Sequence, residues 1–206
     1  MKIKANDRVL LAGKTGSGKT WFAHRLLAGV PRLVVIDPKA TLIDWGLTEP
    51  GADDWTRLER GGTGRFRILA PIVDDPLMWY ESLFQRLYDI GDLTVYIDEA
   101  YAVSSPGSRP GKYLAALYTR GRELGIGVWA ATQRPTWIPL FLISEADWLI
   151  MFRLNLPDDR KRLAAIAGDR VMGRIPDKHG LWLYNVEDEK PRYFNGTTVL
   201  KLKKGV

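Results

Sequence analysis

An α/β fold is predicted, with a mainly parallel central sheet flanked by helices, and three observations predict it. The runs Arg8-Val9-Leu10-Leu11, Arg32-Leu33-Val34-Val35-Ile36, Leu93-Thr94-Val95-Tyr96-Ile97 and Gly127-Val128-Trp129-Ala130-Ala131 are mostly apolar, the pattern of strands covered on both faces. Helical periodicity intervenes between them, as parallel connections require. The first run leads straight into Gly13-Lys14-Thr15-Gly16-Ser17-Gly18-Lys19-Thr20, a glycine-rich loop closing on Lys-Thr. At a strand-to-helix junction this is a phosphate-binding loop. Gly13, Gly16 and Gly18 let backbone N–H groups turn inward around a triphosphate. Lys19 is expected on the β and γ phosphates and Thr20 on Mg²⁺, with the positive end of the helix from Trp21 to Leu27 aimed at the same anion. ATP and Mg²⁺ are therefore the expected cofactors.

With 206 residues, 46% of them hydrophobic, the chain can bury a full core, and one domain spanning 1–206 is expected. There is no apolar run of eighteen residues and no charged-then-apolar leader, so neither a membrane span nor secretion is expected. The absence of cysteine excludes disulfides and thiolate metal sites, and with only His24 and His179 as imidazoles a zinc enzyme is not expected. A net charge of +6 suits a polyanionic partner, nucleic acid above all, although it also describes an ordinary basic surface.

The remaining segments read in order. Asp37 and Lys39 follow the second apolar run, where polar residues border a nucleotide crevice; a simple Asp-Pro turn reads equally well. Residues 41–64 are loop-rich, and Arg65 to Leu69 alternates like a strand near an edge. Asp74-Asp75-Pro76 starts a helix in which Leu77, Tyr80, Leu83, Phe84 and Leu87 recur at helical spacing, its aromatics expected in the core. The third run ends in Asp98-Glu99: the aspartate is expected to hold the magnesium's water shell opposite Thr20, the glutamate to direct the attacking water. Ser104 to Lys112 is too rich in Pro, Gly and Ser for regular structure and carries Arg109 and Lys112, either as a DNA grip or as a plain connection. A helix is expected from Tyr113 to Leu124 with Arg120 and Arg122 at its carboxyl end. Gln133 ends the run that should lie beside the catalytic strand, placed to sense the γ-phosphate. Short helical and strand segments should fill 137–167. Gly180 to Tyr184 and Arg192 to Phe194 form a terminal hairpin before the basic tail Lys201, Lys203 and Lys204, the hairpin and tail spanning about 178–206.

The loop from Gly13 to Thr20, Val34-Val35-Ile36-Asp37-Pro38-Lys39, Tyr96-Ile97-Asp98-Glu99, Arg122-Glu123-Leu124-Gly125-Ile126, Ala131-Thr132-Gln133-Arg134-Pro135 and Phe152 to Asp158, in this order, resemble the FtsK/HerA superfamily of DNA-pumping ATPases. Within it the chain is most similar to genome-packaging ATPases of tailless, membrane-containing double-stranded DNA viruses. That resemblance implies a RecA-like fold with an additional strand and a catalytic glutamate. It implies a ring, commonly a hexamer, with Arg122 as the finger on a neighbour's γ-phosphate, Arg120 and Arg153 as rivals, and Gln133 as sensor. Cation placement at a helix carboxyl end is the plainer reading of Arg120 and Arg122.

The expected function is thus an ATP-driven translocase packaging double-stranded DNA into a preformed capsid, through backbone contacts by Arg109 and Lys112. Its expected place is the host cytoplasm or the packaging vertex, against a capsid or membrane protein. A cellular or plasmid DNA pump and a small-molecule P-loop kinase are the alternatives. Asp98 beside Glu99 speaks against the kinase, because a kinase must avoid a water-directing group.

Overall fold

A computed structural model describes residues 2–104 and 111–200. Arg109 and the tail lysines Lys201, Lys203 and Lys204 lie outside the described residues. The strands β1 (Arg8–Ala12), β2 (Arg32–Asp37), β3 (Gly64–Leu69), β4 (Thr94–Asp98), β5 (Gly127–Thr132), β6 (Trp148–Met151), β7 (Leu181–Asn185) and β8 (Arg192–Phe194) join in the order β3-β2-β4-β5-β1-β6-β7-β8. From β3 to β6 every pairing is parallel; β7 and β8 add antiparallel. β5 thus separates β1, which carries the phosphate loop, from β4, which carries the acids. The strand predicted near an edge is the edge strand β3.

Side chains along each central strand alternate between two apolar layers. Leu10, Val95, Ile97 and Val128 face one layer, packed by α3 (Pro76–Ile90), α4 (Lys112–Thr119), α5 (Phe141–Ser144) and α6 (Pro157–Ala167). Val9, Leu11, Tyr96 and Trp129 face the other, with Phe22, Ala23 and Leu27 of α1 (Lys19–Leu27) and Val199 of α7 (Gly196–Leu200). Each fully buried Leu, Ile or Val contributes about 1.5–3 kcal/mol, so both layers hold the strand tips rigidly in register. α2 (Ala52–Glu59) covers β3 through Leu58.

Several boundaries differ from expectation. The helix predicted to reach Leu124 ends at Thr119 and continues as a 3-10 turn, Gly121–Leu124. Gly121 is a poor helix former, and its carbonyl accepts Ile126 N–H at 2.8 Å, which turns the chain into β5; Gly125 completes the turn at φ 72°. Lys112, expected in a loop, is the first residue of α4. Tyr80 and Phe84 are buried as expected, and Leu77, at the start of the same stripe, is 39% exposed because the stripe of α3 meets the sheet only from Tyr80 onward. Asp75 caps that helix by accepting Met78 N–H at 3.0 Å, with Pro76 in the first turn as predicted.

Candidate active site

The mouth of the phosphate loop is tied to the tips of both neighbouring strands. Gly13 N–H donates to Thr132 O at 3.0 Å and Lys14 N–H to Arg153 O at 2.8 Å. The three glycines serve two different ends. Gly16 and Gly18 take φ of 72° and 109°, left-handed values that side chains resist. Gly13 is instead needed for space, since a Cβ there would lie 2.6 Å from Phe152 Cβ and Ser17 Oγ. Ser17 Oγ is buried with no hydrogen-bond partner among the described residues, so the loop holds an unanswered hydroxyl.

Lys19 is buried, its ammonium donating to Gly13 O at 2.6 Å and Lys14 O at 3.2 Å. Burial pulls its pKa down to about 8, against the upward pull of Glu99 and Asp98 and with a further lowering by Lys39. Only the ammonium form attracts a triphosphate. Affinity for a non-hydrolysable ATP analogue should therefore hold below pH 8 and weaken about tenfold per unit above it, with proton uptake on binding. Calorimetry at several pH values in two buffers of different ionisation enthalpy checks this; a flat affinity from pH 7 to 9.5 would contradict it. The same group adds stability as pH rises from about 8 to its ordinary 10.5, because over that range the unfolded chain binds the extra proton.

Thr20 in the first turn of α1 donates its hydroxyl to Asp98 Oδ1 at 3.1 Å, across the width of β5. Two hard oxygen donors are brought together here, a set that suits a magnesium ion and not a soft metal. Burial raises the Asp98 pKa, with hydrogen bonds from Tyr96 and Thr20 opposing it. Glu99 follows with φ 96° and ψ 81°, a left-handed conformation that costs a non-glycine residue about 1–3 kcal/mol. This twist breaks strand alternation and lets two consecutive acids serve one site. The Glu99 carboxylate is 3% exposed and doubly held: Gln133 N–H donates to Oε1 at 3.2 Å, and Lys39 Nζ donates to Oε2 at 3.1 Å. Gln133 Oε1 in turn accepts the Thr15 hydroxyl at 2.6 Å, so the tip of β5 is bonded to both the phosphate loop and the glutamate.

The structure therefore brings Lys14, Thr15, Lys19, Thr20, Asp98, Glu99 and Gln133 to one edge of the sheet. Asp37 is a turn residue: fully buried, it accepts Thr41 and Leu42 N–H at 3.2 and 2.8 Å. Arg153 is exposed at the tip of β6 beside its own loop, and Arg120 lies over the Tyr88 ring at 5.6 Å. Arg122 lies elsewhere. It precedes β5, whereas the loop follows β1, and the length of these parallel strands puts those ends about 20 Å apart. It is 62% exposed and 3.7 Å from Asp147. Asp147 is partly buried, which would raise its pKa, but hydrogen bonds and charge from Arg8, whose guanidinium is at 2.7 Å, hold it below the ordinary carboxylate value. Arg122 is thus not needed to neutralise it.

Two contributors escape a reading of the sequence. Tyr96 donates its hydroxyl to Asp98 Oδ1 at 2.7 Å; the i, i+2 spacing in a strand is its available signal. His179, with φ 65°, stands beside Gly18, its Nδ1 at 3.3 Å from where a Cβ of that glycine would be. Nothing in the primary sequence signals that approach.

A strand-tip acid pair, a phosphate loop and an interposed strand carrying a polar tip define an ATP-hydrolysing P-loop enzyme of the FtsK/HerA type. No protein-family model matches the chain. The DNA packaging ATPase P9 of Enterobacteria phage PRD1 is 32% identical over 160 residues, covering 75% of this chain and 67% of the phage protein. The chain belongs to that family of viral DNA-packaging ATPases. In fold it is similar to the genome packaging NTPase B204 of Sulfolobus turreted icosahedral virus 2. The sulfate complex of that protein superposes with a TM-score of 0.76 at 17% identity, over 98% of this chain and 100% of the other. Its AMP complex superposes with a TM-score of 0.73 at 18% identity, over 94% and 98%. The pCW3 conjugation coupling protein TcpA shares the fold at a TM-score of 0.60 and 16% identity, over 98% of this chain and 66% of TcpA.

Proposed function

We propose that this ATPase moves double-stranded DNA into a preformed capsid, as a hexameric ring in which each copy fires only when a neighbour completes its site. The observation that carries the reading is the bonding of Gln133 to both Thr15 and Glu99, which gives loss of the γ-phosphate a mechanical path to β5. Lys19 and the loop N–H groups bind the phosphates. Thr20 and Asp98 would hold Mg²⁺, which neutralises charge on the β and γ phosphates when bound. Glu99 orients the attacking water and accepts its proton. Arg122, remote from its own loop and not required by Asp147, supplies the finger in trans. Arg109 and Lys112 grip backbone phosphates without reading bases. The similarity to the phage PRD1 packaging protein supports the substrate and points to a packaging vertex in the host cytoplasm or virion, with a capsid or membrane protein as anchor.

The test is phosphate release from ATP with no acceptor present, with and without long double-stranded DNA, across a salt series. DNA should stimulate release, and stimulation should fall steeply with salt. Arg109→Ala with Lys112→Ala should lower the slope of log affinity against log salt by roughly one for each DNA phosphate that is no longer neutralised. Release that ignores DNA would sink the translocase reading, and release that needs a small-molecule acceptor would make the chain a kinase.

A further inference from the structure

We propose that Tyr96 is a positioning residue for the metal-binding carboxylate of Asp98, an inference that rests on the magnesium site assigned above. Tyr96 and Asp98 sit two apart in β4 and so share a face. The Tyr96 hydroxyl donates to Asp98 Oδ1 at 2.7 Å, and the Thr20 hydroxyl donates to the same oxygen at 3.1 Å. Oδ1 is thereby held from two sides, which sets the carboxylate plane and leaves Oδ2 without a protein donor among the described residues.

The hydroxyl is not there for packing. Tyr96 is 0% exposed in an apolar layer where phenylalanine would fill nearly the same volume, and a buried hydroxyl is costly unless it is bonded. The bond it donates is the one to Asp98, and the Thr20 hydroxyl lies within hydrogen-bonding reach of the same phenol oxygen. The ring is itself fixed: Trp45 stacks on it with centroids 5.1 Å apart at 19°, and His24 stacks on Trp45 at 4.8 Å and 24°. A tyrosine has two side-chain torsions, so clamping the ring places the oxygen. The stack therefore runs from α1, whose first turn carries Thr20, to the carboxylate that Thr20 faces. Groups that orient a metal ligand typically change metal affinity by about 10–100-fold when removed.

The experiment titrates Mn²⁺, read by electron paramagnetic resonance, into full-length protein saturated with a non-hydrolysable ATP analogue. For Tyr96→Phe, Mn²⁺ affinity should weaken about tenfold while affinity for the analogue without metal stays unchanged. Half-saturating Mg²⁺ for hydrolysis should rise by the same factor. In an Asp98→Asn background Tyr96→Phe should add no further loss, a result that a merely structural role would not produce. Equal Mn²⁺ affinity in wild type and Tyr96→Phe would overturn the inference and leave the magnesium site standing. Absence of Mn²⁺ binding in the wild type would overturn the magnesium reading and the inference with it. Should Tyr96→Phe fail to fold, Trp45→Phe keeps the hydroxyl and loosens its ring; a several-fold weakening supports the inference and none overturns it.

Discussion

Glu99→Gln stops hydrolysis and leaves nucleotide bound: kcat falls by about 10²–10⁴-fold, the usual contribution of a positioned general base. The substitution keeps the side chain's shape and one acceptor oxygen, so it retains the bond from Gln133 N–H at 3.2 Å or the one from Lys39 at 3.1 Å and gives up the other, while the rest of the pocket is unchanged. What it loses is the acceptor for the water's proton. Lys19 and the loop glycines are untouched, so affinity for a non-hydrolysable analogue should stay within about twofold, a change worth less than about 0.5 kcal/mol. Single-turnover phosphate release beside analogue binding separates the two. Retained turnover would move the base elsewhere, and Asp98 would be the group to test next.

Arg122→Ala lowers assembly-dependent turnover by about 10³–10⁵-fold, the range of an arginine finger supplied in trans. Folding should barely notice. The ion pair to Asp147 is exposed on the arginine side and 3.7 Å long, a kind of pairing worth about 0–1 kcal/mol, and Arg8 already neutralises that carboxylate. The melting temperature is therefore the control. A mixing experiment distinguishes trans from cis action: Glu99→Gln and Arg122→Ala proteins, each inactive alone, should recover phosphate release when combined. At some junctions an intact Glu99 then meets a neighbour's intact Arg122. If no mixture recovers activity while Arg153→Ala abolishes it, the exposed arginine beside the chain's own loop is the one that matters.

The phosphate loop and the acid pair are legible in the primary sequence because their chemistry depends on local spacing. A glycine-rich turn between an apolar strand and a helix can be read in eight residues, and so can two acids at the end of a β-branched run. Parallel strands can also be read, since burial on both faces forces continuous apolar runs such as Leu33 to Ile36. The end of α4 is not legible, because Gly121 stops the helix through a hydrogen bond from Ile126 that periodicity does not carry. Nor is the exposure of Leu77, because a helix's stripe says which way it faces but not where the sheet beneath it begins.

Local spacing in the sequence by itself was enough to single out the loop glycines, Lys19, Thr20, Asp98 and Glu99 as candidates and to place β3 near an edge and β7 with β8 in a hairpin, but not the helix α7 that follows it. Only the tertiary structure decided how the charges within the site are shared. The strand order puts β5 between β1 and β4, and so lets Gln133 bond to Thr15 and Glu99 at once. A left-handed twist at Glu99 aims it into the same site as Asp98. Lys39, 60 residues away in the chain, takes one carboxylate oxygen of Glu99, and Tyr96 holds one of Asp98. Arg122 is sent to the far edge. Each of these depends on which atoms come within about 3 Å after the two apolar layers close, a distance that spacing along the chain does not encode.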